Sequence, residues 1–261
     1  MTTSTPRAGN PLWMAYETLA MLLGLGMLAL LCLLWLPFAL LLQLVLPRRR
    51  GQPLGRLAIM AGFRCYLGFL RLFCACRFDL AELDRLRDAG PLIVAANHPS
   101  LLDVVLIASR LPDAVCVIKA ALLDRLLFGA AARLAGYIRN DAPLEMVLAA
   151  RDELRHGAQL VIFPEGSRTA VFPVDAFAPG TALIAWRAAT PVQTVLIEYS
   201  TPYLGKAWPL FRRPALPLYC HVRLGRRFPP PADYAAFSSE LEACFRLELG
   251  PKTLSTATVA S

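Results

Sequence analysis

Between Leu19 and Leu46 almost every position is apolar, and the run ends at Pro47 followed by Arg48, Arg49 and Arg50. A stretch of more than about 20 apolar residues predicts a helix long enough to enter or cross a bilayer. Pro37 within it permits a kink, so a helical hairpin dipping into one leaflet stands beside a straight span. A cleaved secretion signal would have a shorter apolar core, with positive charge before it rather than after it. The trailing arginines predict that the rest of the chain lies on the cytoplasmic side of the membrane. Residues 56–76 are apolar again, except for Arg56, Arg64 and Arg71. At about 100° per residue these three fall within about a quarter turn of one another. The pattern predicts an amphipathic helix at the bilayer interface, arginines towards headgroups and the apolar face in acyl chains.

After about Asp79 short β-like runs alternate with helical ones. PLIVAAN precedes SLLDVVLIASR, and AVCVIK precedes ALLDRLLFGAAARLA. GYIRN precedes PLEMVLAARDELRHG, and QLVIF precedes a loop and GTALIAWRAA. PVQTVLIEY and YCHVRLG come next, then a break at Pro229-Pro230-Pro231 and a last helix. Strands alternating with helices at this spacing predict an α/β fold, a mainly parallel sheet flanked by helices. The expected organisation is a membrane anchor over 1–50, an interfacial helix over 51–78, one globular domain over 79–250 and a disordered tail over 251–261.

Composition sharpens the membrane reading. Of 261 residues 56% are hydrophobic, and the excess lies near the N-terminus. The net charge of +8 suits anionic lipid or nucleic acid. Its arginines sit beside apolar stretches, which favours lipid over nucleic acid. Seven cysteines without a C-x-x-C pair or a zinc-like set of histidines read as reduced, buried thiols, and no metal is expected. His98, His156 and His221 are the three histidines that could serve as a neutral-pH base.

In open α/β sheets ligands bind outside the carboxyl ends of the strands. The residues just beyond each predicted strand are therefore informative. Asn97-His98 follows the first, Lys119 ends the second, Arg139 ends the third and Pro164-Glu165-Gly166-Ser167-Arg168 follows the fourth. One base candidate and three cations thus share a rim. His98 and Asp103, five apart, would point about 140° away from each other on one continuous helix. They meet only if His98 precedes the helix and Asp103 lies in its first turn, with Pro99 at the first helical position. Asp103 would then hold one ring nitrogen, leaving the other to accept a hydroxyl proton; a capped turn with a favourable first-turn acid reads equally well. Arg168 could give a two-pronged contact to phosphate, or be a solvated turn residue. His156 reads as a helix C-terminal cap, and His221 has no evident partner.

Asn97-His98-x-Ser100-x-x-Asp103 and Phe163-Pro164-Glu165-Gly166-Ser167-Arg168 resemble the first and third motifs of the lysophosphatidic acid (glycerolipid) acyltransferase family. Gly136-Tyr137-Ile138-Arg139 resembles its second motif, and Thr190-Pro191-Val192 part of its fourth, all in the family's order. The resemblance implies that residues 79–250 are an acyltransferase domain. It implies transfer from acyl-CoA or acyl-carrier protein to a lipid hydroxyl, with no cofactor and no metal. His98 would be general base and Asp103 its orienting partner. Lys119, Arg139 and Arg168 would hold an acceptor phosphate, Glu165 would shape the acceptor site and Pro191 would lie near the acyl-binding region. Amides near Gly166 are expected to stabilise the oxyanion. Membrane lipids and the acyl donor are the implied partners. One departure bears on substrate: Ala178 stands after Phe177 where family members usually carry a lysine. That weakens the case for a phosphorylated acceptor: 1-acylglycerol 3-phosphate, giving phosphatidic acid, remains the leading expectation, and a lyso-ornithine lipid or a specialised hydroxylated or polyketide-like lipid is the nearer alternative. A lipid-binding protein without catalysis, or a hydrolase using His98 on water, are readings of other classes.

Overall fold

The computed structural model describes residues 10–209 and 211–250, so the tail expected beyond Gly250 lies outside the described residues. Helix α1 runs Pro11–Val45, its first turn capped by the Asn10 side chain, which accepts from the Leu12 amide at 2.9 Å. At 1.5 Å per residue its 35 residues span about 52 Å. It passes through Pro37 without a break, and helix α2, Arg48–Phe73, folds back along it. Tyr16 donates to the Phe73 carbonyl at 3.0 Å, and Gly24 lies under Leu70, where an added Cβ would come within 3.1 Å. The hairpin is therefore formed between α1 and α2 rather than within α1. Both ends of α1 also touch the globular part. Glu17 accepts from the Leu216 amide at 3.1 Å, and Gln43 donates to the Ala130 carbonyl at 3.0 Å.

Arg56, Arg64 and Arg71 of α2 all bond to the sheet domain, against expectation, although only Arg56 is buried. Arg56 is 5% exposed, donating to the Ala135 carbonyl at 3.0 Å and pairing with Asp113 at 2.6 Å and Glu153 at 2.5 Å. Arg64 donates to the Ser109 carbonyl and Arg71 to that of Phe78. Carboxylates and carbonyls of the sheet domain match the fixed fork of Arg56, and a buried guanidinium is tolerable only when so matched. Leu54, Leu57, Leu72 and Phe73 face outward instead. Helix α2 also stops short of the expected boundary. Ala75 takes a left-handed conformation (φ 48°), and Cys76–Asp79 form strand β1, burying Cys76 and Phe78 in alternation.

After a 3-10 turn at Ala81–Leu86 come β2 (Leu92–Ala96), α3 (Asp103–Ala108), β3 (Ala114–Ile118), α4 (Ala120–Leu123) and α5 (Leu126–Leu134). The chain continues with β4 (Ile138–Arg139), α6 (Pro143–Arg155), β5 (Gln159–Ile162), α7 (Gly180–Ala188), β6 (Val192–Tyr199), β7 (Leu218–Phe228) and α8 (Tyr234–Leu249). The sheet order is β1-β7-β6-β2-β5-β3-β4. From β6 to β4 all neighbours are parallel, whereas β7 pairs antiparallel with β6 and parallel with β1. Strand β2 is buried on both faces: Leu92, Val94 and Ala96 join a core with α2 and α3, while Ile93 and Ala95 join one with α6, α7 and α8. Two covered faces at its centre leave the carboxyl ends of β2, β5 and β6 as the place where polar side chains gather.

Candidate active site

Asn97 extends β2 by mimicry. Its side-chain amide donates to the Ile197 carbonyl at 2.9 Å, and its oxygen accepts from the Ile197 amide at 2.8 Å. These bonds continue the β2–β6 ladder past the last backbone pair and hold the end of β6 against the next turn. His98 comes directly after, before the helix. Helix α3 begins at Asp103 rather than at Pro99, because residues 99–102 form bends and turns. His98 Nδ1 lies 2.8 Å from Asp103 Oδ2. That same oxygen accepts from the Ser100 amide at 2.7 Å, and Oδ1 accepts from Tyr199 Oη at 2.8 Å. Asp103 is wholly buried and its carboxyl is raised above the ordinary carboxylate value by burial, against the pull of these three donors. An ionised carboxylate only accepts, so the shared proton is assigned to Nδ1 and Nε2 carries the lone pair. The His98 ring stacks on Phe163, with centroids 4.0 Å apart and planes at 18°. Its side chain is 17% exposed while that of Asp103 is at 0%, so the ring's outer edge opens outward from a sealed partner. Among the described residues Nε2 has no hydrogen-bond partner.

The loop after β5 is stapled to this turn by Glu165. One oxygen of its buried carboxylate accepts from the His98 amide at 3.0 Å and from Thr169 Oγ1 at 2.8 Å; the other accepts from the Asp175 amide at 2.8 Å. The Thr169 amide in turn donates to the His98 carbonyl at 2.8 Å. Burial raises the Glu165 carboxyl too, opposed by the donors. Glu165 thus faces the protein and fixes the rim's shape. Gly166, with φ +66°, makes the turn, but its amide donates to the Phe163 carbonyl at 2.9 Å, which removes it as an oxyanion donor. The amides of Ser167 and Arg168 have no protein partner among the described residues.

Of the three cations, Arg168 stands beside His98. Its Nη1 donates to the carbonyls of Leu204 at 2.9 Å and Gly205 at 2.6 Å, which leaves Nε and Nη2 without protein partners among the described residues. Lys119 ends β3, two strand positions from β2, or roughly 10 Å at about 4.8 Å per strand. Its exposed ammonium is unpaired among the described residues. Arg139 is not brought in. It sits on the edge strand β4, roughly 14 Å away by the same spacing, its fork closed by Asp141 at 2.8 Å and Asp124 at 2.7 Å. Those carboxylates hold its proton more tightly than usual. Pro191 lies at the opposite end of the sheet, its carbonyl accepting from the Ile93 amide at 3.1 Å. It shares no rim with His98. Sequence reasoning did not single out Tyr199 or the stacking role of Phe163. The signal that points to Tyr199 is its place as the last residue of β6, a strand end like those that carry His98 and Arg168.

The acyltransferase family model matches residues 77–198. That stretch holds both His98 and Asp103, and Glu165 and Arg168 with them. The match takes in just under half of the chain. The 1-acyl-sn-glycerol-3-phosphate acyltransferase of Helicobacter pylori is 31% identical over 108 residues, 38% of this chain. The match spans 46% of that relative's length, about half. The crystal structure of the 1-acyl-sn-glycerophosphate acyltransferase PlsC from Thermotoga maritima superposes with a TM-score of 0.67 at 18% identity, covering 90% of this chain and 96% of that one. At that identity the likeness is one of fold, and it extends through the N-terminal hairpin as well as the acyltransferase domain. The family match begins within β1, the strand that pairs with β7 at the sheet's edge.

Proposed function

We propose that this protein is a membrane-associated O-acyltransferase that moves a fatty acyl group from the thioester of acyl-CoA or acyl-carrier protein to a lipid hydroxyl. The first candidate acceptor is 1-acylglycerol 3-phosphate, giving phosphatidic acid. The observation that carries the reading is the His98–Asp103 pair with its outer nitrogen unpartnered at the cationic rim. His98 Nε2 takes the acceptor's hydroxyl proton as the oxygen bonds to the thioester carbonyl carbon. The tetrahedral adduct then expels the thiolate, the carbon–sulfur bond breaks, and the imidazolium returns the proton to sulfur. Asp103 holds the tautomer and stabilises the imidazolium, as an orienting carboxylate does. Arg168 and Lys119 offer the acceptor's phosphate their unpaired donors, and the amides of Ser167 and Arg168 are the available partners for the developing oxyanion.

The apolar face of α1 supports the location. Leu19, Leu22, Leu30, Leu33, Leu34 and Leu41 are exposed along one face of the helix, the kind of apolar surface that marks an interaction site. Because α1 lies along the acyltransferase domain, this face would rest in one leaflet, with the domain on the side of Arg48–Arg50, the cytoplasm.

A second acceptor class has an observation in its favour. The Ala178 amide donates to the Pro164 carbonyl at 2.8 Å, so the position where the family usually has lysine borders the site and carries no charge. With Arg139 neutralised, the rim has two unpaired cations among the described residues where the resemblance implied three. Purified protein with a defined acyl donor and a panel of lyso-lipids separates the two readings. Transfer to 1-acylglycerol 3-phosphate supports the first; transfer only to hydroxylated lipids without phosphate replaces it.

A further inference from the structure

Away from His98, a recess of about 380 Å³ opens between α2, the 3-10 turn and the end of α3. Arg64, Arg71, Arg87 and Arg110 line it, with Asp84 as the one carboxylate among its lining residues. Three of the guanidiniums are held by one edge. Arg64 Nε donates to the Ser109 carbonyl at 2.8 Å, leaving both terminal nitrogens. Arg71 Nη2 donates to the Phe78 carbonyl, leaving Nε and Nη1. Arg110 Nη1 reaches Asp84 at 3.1 Å, leaving Nε and Nη2. The Arg87 side chain has no partner among the described residues. Four like charges facing one carboxylate repel one another, and an anion in their midst would relieve that repulsion. Guanidiniums fixed on one edge and open on another suit the tetrahedral oxygens of a phosphate, with little side-chain freedom left to lose on binding.

The helix that carries Arg64 and Arg71 says where that phosphate comes from. Leu72 and Phe73 follow Arg71 directly on α2 and are 75% and 49% exposed. The same helix packs along the apolar α1. A ligand that presents phosphate beside acyl chains satisfies both kinds of surface, as an anionic membrane lipid does. Gly68 on the floor has open space where a Cβ would be.

We propose that this recess is a second anion site, distinct from the catalytic rim, that takes the phosphate headgroup of an anionic membrane lipid and seats the α1–α2 hairpin on the bilayer. The site rests on membrane association and not on the acyl-transfer reading, so its test uses binding rather than activity. The full chain in neutral detergent is titrated with short-chain phosphatidylglycerol, short-chain phosphatidylcholine or inorganic phosphate while the thermal midpoint is followed. Phosphatidylglycerol raises the midpoint of the wild type to saturation, and phosphatidylcholine and inorganic phosphate at matched concentration do not. R64Q/R87Q weakens the apparent Kd at least about tenfold, and G68L, which fills the recess on a helix that prefers leucine to glycine, does the same. R87Q alone, which breaks no hydrogen bond among the described residues, weakens it in the same direction. R168Q at the rim leaves it unchanged. An equal response to phosphatidylcholine, an equal response to inorganic phosphate, binding indifferent to R87Q and G68L, or binding lost in R168Q would each overturn the proposal.

Discussion

Two histidine–aspartate pairs in this molecule have almost the same geometry and different surroundings. His98 and Asp103 are 2.8 Å apart, His221 and Asp79 2.9 Å, both through Nδ1 and Oδ2. The side chains of His221 and Asp79 are 49% and 63% exposed, on neighbouring strands β7 and β1 at the antiparallel edge. Water and salt compete for that contact, and it orients nothing beyond itself. Asp103 is sealed, and its two oxygens take donors from His98, Ser100 and Tyr199. Its ring partner is stacked on Phe163 and lies at the carboxyl ends of parallel strands, where helix connections leave a crevice. Separation alone does not make a catalytic pair. A carboxylate that cannot rotate, hydrate or choose another donor is what the proposed reaction needs.

The comparison can be broken by experiment. The largest effect belongs to His98→Ala, which should lower the acyl-transfer rate at least about a hundredfold while folding and membrane association persist; unchanged transfer removes His98 from the mechanism. Asp103→Asn should come second, with a loss of about tenfold or more in kcat and little change in KM, because the tautomer is no longer enforced. It carries a pH signature as well. Burial raises the Asp103 carboxyl, so the folded state holds its proton more tightly than the unfolded chain does. Between the ordinary carboxylate value, about 3.9, and the raised one, stability therefore falls as pH rises. The rate rises over the same window, because Nδ1 needs an ionised acceptor. Denaturant titrations across that window should show the stability slope flattened in Asp103→Asn, and an unaltered slope would mean that Asp103 is not the group responsible. Tyr199→Phe should cost a few-fold in kcat and move the acid limb of the rate profile to higher pH, since a donor that lowers the Asp103 carboxyl is lost. A displacement in the other direction would count against that role. His221→Ala should leave kcat/KM within about twofold; a large loss would make the exposed pair part of the reaction.

Much of the catalytic turn is legible in the residues themselves. The five-residue spacing already says that His98 and Asp103 can pair only if His98 sits outside the helix, and strand-end position already groups it with Arg168. The cations show where such reading stops. Lys119, Arg139 and Arg168 each close or follow a predicted strand and look alike in sequence. The order of strands, which no local pattern encodes, puts Arg168 next to His98 and Arg139 at the far edge between two aspartates. Arg56 departs from expectation for a related reason. Its helical phase with Arg64 and Arg71 is a local property, but which neighbour that face meets is not.

Periodicity and strand-end chemistry, taken from the chain alone, determined an apolar N-terminal helix, a mainly parallel sheet covered by helices, and a histidine and an aspartate close together at the first strand's carboxyl end, their pairing left open. These are short-range consequences of side-chain size, polarity and backbone preference. The tertiary structure alone decided that α1 lies along the domain, that Tyr199 completes the aspartate's shell, that Glu165 faces inward, and that Pro191 sits at the opposite end of the sheet from His98. Each depends on groups far apart in sequence meeting in a sealed interior, where an unmatched polar atom is costly and the available partners choose among arrangements the sequence leaves open.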